Sequence, residues 1–227
     1  MTAIMIPDVA LVDNTEQRTP LVLVLDCSGS MDGPLINMLN EGLALLEEEL
    51  KSDVIASKRV RILVIEFGAH DEALVASNWC DAMDFTAPRL EASGTTPTGH
   101  AVELALAEIE QEKQRFRSAG VAYTRPWLFL MSDGEPTDNF QAAAQMARRA
   151  EQDNKVAIFP IAVGDQANTE VLGQFSSRGE RGVKQLRGLQ FRELFLWLSA
   201  SMQVVSQSRP GQQAQLASTD GWSVVST

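Results

Sequence analysis

Four stretches of this chain are too continuously apolar to be half-exposed strands and too short to be buried helices. They are residues 20–26 (PLVLVLD), 60–67 (VRILVIEF), 127–131 (WLFLM) and 156–163 (VAIFPIAV). A short apolar run without period-two alternation is how a strand covered on both faces reads. Helical patterns separate them. Leu35, Leu39, Leu43, Leu46 and Leu50 recur at spacings of four, four, three and four. Val102, Ala105, Leu106 and Ile109 make a second stripe, and Phe191, Leu194, Phe195, Leu198, Met202 and Val205 a last one. Residues 141–152 are rich in Ala and Arg, both strong helix formers. Strands alternating with helices predict an α/β fold, a doubly wound and mainly parallel sheet with helices on both faces. Ligands of such sheets bind at the carboxyl ends of the strands. Residues 73–80 (ALVASNWC) predict a further short strand, and Pro160 predicts a local irregularity in the last apolar run.

The domain is expected to span residues 20–205. Residues 1–19 read as an N-terminal extension and 206–227 as a disordered tail, polar and breaker-rich, with Trp222 as its one odd residue. A net charge of −11 with no basic stripe argues against nucleic acid and anionic membrane as partners. The N-terminus lacks a basic region and is broken by Pro7, so it makes a poor signal peptide, and no apolar run approaches a membrane span. Cys27 and Cys80 fit neither a disulfide framework nor a CxxC zinc site. A cytoplasmic protein with reduced thiols is the expectation.

Three loops carry chemistry-bearing residues toward that carboxyl edge. Asp26-Cys27-Ser28-Gly29-Ser30 follows the first strand, Ser93-Gly94-Thr95-Thr96-Pro97-Thr98-Gly99 precedes the Val102 helix, and Ser132-Asp133-Gly134-Glu135 follows the WLFLM strand. Asp26 and Asp133 offer carboxylates; Ser28, Ser30 and one of Thr95 or Thr96 offer hydroxyls. An all-oxygen set suits Mg²⁺, with Mn²⁺ also fitting, and serves zinc or copper poorly. Gly29 and Gly134 relieve the backbone in these turns. Taken alone, Asp-x-Ser-x-Ser also reads as a plain helix N-cap; the strand before it and the two further loops in order favour the metal.

These three segments resemble the metal-ion-dependent adhesion site (MIDAS) of von Willebrand factor A domains over about residues 20–205. Within that family, residues 126–138 (PWLFLMSDGEPTD) and 191–202 (FRELFLWLSASM) are similar to the bacterial TerY-like proteins of tellurite-resistance gene clusters. The resemblance implies a six-stranded, Rossmann-like sheet with one antiparallel edge strand. It implies metal ligands Asp26, Ser28, Ser30, Thr96 and Asp133, the last through water. It also implies a protein partner that offers an Asp or Glu to the metal, such as a co-encoded kinase or protein phosphatase of a stress-response system. The C-terminal zinc-binding segment of some relatives is absent, because the cysteines for it are missing.

A magnesium-dependent phosphohydrolase with Asp26 as nucleophile is the alternative. It wants a second Asp at position 28, where Ser28 stands, and a lysine soon after the third loop, where none follows closely. A serine hydrolase lacks its GxSxG elbow, a nucleotide binder its GxxxxGK[ST] or GxGxxG, and His100 reads as a surface or capping residue. The expected function is a metal-dependent protein-binding module, not an enzyme.

Overall fold

The computed structural model describes residues 11, 14–133, 135–165, 167–186, 190–209, 216, 218–219 and 223–224. The expectations for Gly134, Trp222 and residues 1–10 lie outside these. The strands are β1 (Thr19–Asp26), β2 (Val60–Phe67), β3 (Ala73–Asp81), β4 (Trp127–Ser132), β5 (Ala157–Ala162), β6 (Lys184–Leu186) and β7 (Ser223–Val224). They form one sheet in the order β3-β2-β1-β4-β5-β6-β7. β2, β1, β4, β5 and β6 run parallel, while β3 pairs antiparallel with β2 and β7 antiparallel with β6. The expected sheet of six, with its antiparallel edge strand, is therefore β3 through β6. The helices are α1 (Pro34–Ser52), α2 (Ala56–Arg59), α3 (Thr98–Ala119), α4 (Gln141–Gln152), α5 (Thr169–Gly173) and α6 (Phe191–Gln207).

The continuous apolar runs are explained by burial on both sides. Leu21, Leu23 and Leu25 of β1 face Leu39, Leu43, Leu46 and Leu50 of α1 and Leu194, Leu198 and Met202 of α6. The alternate residues Val22 and Val24 face Ala101, Ala105 and Ile109 of α3 and Ala143, Ala144 and Ala147 of α4. Each fully buried Leu or Val contributes roughly 1.5–3 kcal/mol, so a polar residue anywhere in β1 would be costly. From β1 the chain winds outward through β2 and β3, then returns to β4 on the other side. The strand order thus reverses between β1 and β4, which places the ligand crevice at their carboxyl ends.

The structure differs from expectation at three points. Pro160 causes no shift in the β4–β5 register, where it stands opposite Leu130. On its other side β6 pairs with β5 only from Ile161, so the missing N–H falls on open edge. The extension before residue 20 is not loose where it is described: Thr19 belongs to β1, Arg18 is buried, and Leu11 packs on Phe116 and Val121. The segment after 206 is not wholly unstructured, since α6 continues to Gln207, Leu216 packs against the core, and Ser223–Val224 pair with β6. The short elements α2, α5 and β6 carry too few residues for a periodic signal. Among the described residues no helix is long and apolar enough to cross a membrane, and both cysteines are free.

Candidate metal centre

Asp26 is the last residue of β1, so the strand itself aims its carboxylate into the crevice. Beyond it the chain turns sharply through a 3-10 turn at Gly29–Met31 before α1 begins at Pro34. The turn brings Ser28 back over Asp26: the Ser28 N–H donates to Asp26 Oδ1 at 2.9 Å. Ser28 Oγ lies 3.0 Å from Ser30 Oγ, and Ser30 Oγ donates to Asp133 Oδ1 at 2.8 Å. Ser132, the last residue of β4, donates its hydroxyl to Asp26 Oδ2 at 2.5 Å. Asp26, Ser28, Ser30 and Asp133 are thus joined in one hydrogen-bonded constellation, although Asp133 is 107 positions from Asp26 in the chain.

The second loop is fastened to the first by the Gly29 N–H to Gly94 C=O bond of 3.1 Å and the Ser93 N–H to Cys27 C=O bond of 2.8 Å. It presents two threonines differently. Thr95 is exposed, and its N–H donates to Asp71 Oδ1 at 2.8 Å. Thr96 is buried, yet no hydrogen bond to its hydroxyl is found among the described residues.

Burial pushes the Asp26 carboxyl up to about 6, against the hydrogen bonds from Ser132 and Ser28 that lower it, and the neighbouring Asp133 adds to the rise. Burial also raises Asp133, opposed by the Ser30 hydroxyl. Two carboxylates held up in this way gain from a nearby cation. Burial pushes the Cys27 thiol up too, with Glu66 and Asp26 adding to it, so Cys27 is an inert small side chain in a tight turn rather than a nucleophile.

The donor set fits a hard divalent ion: two carboxylates, three hydroxyls, no thiolate and no imidazole. Among the described residues no group of three or more His, Cys, Asp and Glu comes together, so hydroxyls must supply the rest of any coordination here. Thr96 is 6% exposed, and its hydroxyl, with no hydrogen bond found among the described residues, is free to turn to such an ion.

Several residues that build the site carry little or no signal in the sequence. Ser132, in a loop by its sequence, ends β4 and holds Asp26. Gly68, at φ 120°, lets the β2–β3 turn pass against the Ser28 backbone, where a Cβ would collide. Asp71 carries the Thr95 N–H. Thr137 and Asp138 grip the second loop from beyond the third. Only Gly68 carries a local signal, a glycine directly after a buried strand.

A family model described as von Willebrand factor type A domain matches residues 21–187. An uncharacterised protein of Synechocystis sp. is 27% identical over 202 residues, covering 84% of this chain and 44% of its own. Among solved structures, a von Willebrand factor type A protein from Catenulispora acidiphila aligns with TM-score 0.59 at 20% identity, over 83% of this chain and 43% of that one. Manganese-loaded Plasmodium vivax TRAP protein aligns with TM-score 0.51 at 16% identity, over 81% and 73%. At such identities the solved structures show a shared fold. The chain spans less than half the length of the curated relative and of the Catenulispora structure.

Proposed function

The chain belongs to the von Willebrand factor type A domain family, and on that premise we propose that it is a divalent-cation-dependent protein-binding module. Ser28, Ser30 and Thr96 would hold the ion through their hydroxyls, with Asp26 and Asp133 supplying charge, Asp133 through water. Mg²⁺ is the expected ion and Mn²⁺ its substitute. The observation that carries this reading is the joined Asp26–Ser28–Ser30–Asp133 constellation, with the Thr96 loop fastened to it by the Gly29 N–H to Gly94 C=O bond. Hydroxyl ligands neutralise little charge, so the bound ion would remain electrophilic toward one more oxygen. A partner's Asp or Glu carboxylate is the natural donor. With a chain charge of −11, attraction of an acidic group must be local and come from the metal.

The TerY-like resemblance of residues 126–138 and 191–202 supports a finer reading: a cytoplasmic stress-response or tellurite-resistance setting, with a co-encoded kinase or protein phosphatase as partner. The phosphohydrolase alternative is disfavoured by Asp26 itself. It is 1% exposed, and both its oxygens already accept hydrogen bonds, from the Ser28 N–H and the Ser132 hydroxyl.

Calorimetric titration of Mn²⁺ and Mg²⁺ into the full chain tests the site. Saturable 1:1 binding that disappears in Ser28→Ala supports it, and equal binding by wild type and Ser28→Ala defeats it. Retention of a candidate partner in Mg²⁺ but not in excess chelator is the expected companion result; retention indifferent to chelator would leave the metal a structural part only.

A further inference from the structure

The second loop is the least anchored part of the site by its own sequence. It enters α3 through Pro97, whose side chain accepts no hydrogen bond, so the first N–H groups of the helix need partners from elsewhere. They find them 38 and 39 residues downstream. Asp138 accepts the Gly99 N–H on Oδ1 at 3.1 Å and the His100 N–H on Oδ2 at 2.8 Å. One position earlier, Thr137 meets Thr96 twice. The Thr96 N–H donates to Thr137 Oγ1 at 3.0 Å, and the Thr137 N–H donates to the Thr96 C=O at 2.9 Å. The approach is close enough that a Cβ at Gly99 would lie 2.7 Å from Phe140 Cα. The far side of the same segment is tied down where Asn168 Nδ2 donates to Glu135 Oε1 at 2.7 Å.

We propose that Thr137 is a positioning residue for Thr96. Its hydroxyl fixes the Thr96 backbone so that the Thr96 hydroxyl is already in place for the cation, while Asp138 holds the helix start behind it. Thr137 lies four positions after Asp133, so one segment supplies a carboxylate to the site and braces the backbone of Thr96. A neutral hydroxyl attracts a cation weakly, and its worth as a ligand depends on arriving already oriented. The Thr137 side chain is solvent-exposed, and it meets Thr96 at the backbone N–H rather than at the hydroxyl that would hold the ion, so its influence runs through the backbone of Thr96. This inference rests on the metal reading of the site.

The test is Mn²⁺ affinity of the full chain, read from the free-ion paramagnetic resonance signal, together with metal-free melting temperature. The variants are Thr137→Val, which keeps shape and removes the acceptor, and Thr137→Ser, which restores it. Expected are an affinity loss of about 10-fold or more in Thr137→Val, a metal-free melting temperature close to wild type, and recovery in Thr137→Ser. A merely structural role would lower the metal-free melting temperature and leave affinity of the folded protein unchanged; that result overturns the proposal. So does an equal loss in Thr137→Ser. If Thr137→Val does not fold, Asp138→Asn, which keeps one of the two acceptor oxygens, carries the test, and unchanged Mn²⁺ affinity there overturns the proposal. Wild type that binds no Mn²⁺ overturns the metal reading and this inference with it. Wild-type binding with unaltered Thr137→Val overturns this inference alone.

Discussion

At the scale of single residues, the site stores an electrostatic cost in Asp26. A carboxyl raised to about 6 from 3.8 binds its proton more tightly in the folded than in the unfolded chain. Its contribution to stability is therefore full below about pH 4 and is lost as pH rises through about 6. A shift of that size corresponds to roughly 3 kcal/mol. Asp26→Asn keeps an acceptor for the Ser28 N–H and removes the charge. In chelator at pH 7.5 the variant is expected to be more stable than wild type by about 1–3 kcal/mol, with the advantage cut to about a third at pH 4.5. Urea unfolding at both pH values measures this, and a variant less stable at pH 7.5 would contradict it. The same carboxylate must be ionised to hold a cation, so wild-type Mn²⁺ affinity is expected to fall as pH drops below about 6, and Asp26→Asn to lose the metal altogether.

At the scale of elements, the open edge of β5 is closed by side chains rather than by a strand. The Val156 C=O accepts from Arg125, the Ile158 N–H donates to Glu151 Oε1 at 3.1 Å, the Ile158 C=O accepts from Arg178, and Pro160 has no N–H to offer. A bare edge would template pairing with another chain. Burial pushes the Glu151 carboxyl up, but bonds from the Ser177 hydroxyl and N–H, the Ile158 N–H and the Ser176 hydroxyl outweigh it and hold it below its ordinary value. Glu151→Ala leaves those donors without an acceptor. The expected loss is on the order of 2–4 kcal/mol in urea unfolding, with concentration-dependent light scattering as the edge opens. Unchanged stability would show that water replaces the carboxylate there.

At the scale of the whole molecule, charge is buried at the end of the sheet opposite the site. Arg18 Nε lies 3.1 Å and Arg61 Nη1 3.3 Å from Asp81 Oδ1, and Arg61 also pairs with Glu112. Four segments meet there: the residues leading into β1, the start of β2, the end of β3 and the middle of α3. Burial lowers the Arg18 pKa even as Asp81 opposes the shift, so the pair persists only with its partner present. Asp81→Ala removes the carboxylate facing Arg18 and leaves Arg61 with Glu112, and a loss of about 3–5 kcal/mol is expected, visible as a fall in melting temperature on the order of 10 °C. The eight residues of β2 separate this network from the crevice by roughly 25 Å. Mn²⁺ affinity of the folded variant is accordingly expected to match wild type, and a parallel loss would mean that the two ends are coupled.

The sequence by itself determined the strands of the sheet's centre, the faces of α1, α3 and α6, and the two loops that supply Asp26, Ser28, Ser30 and Asp133. Each of these is written in a local pattern: an uninterrupted apolar run, a helical stripe, a turn of small and acidic residues after a strand. The structure decided what no local pattern records. It made Thr96 the buried threonine and Thr95 the exposed one, because Asp71 draws the Thr95 N–H outward. It gave Asp26 its second partner in Ser132, clamped Thr96 with Thr137, buried Arg18 against Asp81, and brought Ser223–Val224 back to the edge of β6. All of these join residues 24 to 106 positions apart, and a hydrogen bond between such residues leaves no period in either segment. Which polar groups meet is fixed only once the apolar faces have packed and set the distances between loops.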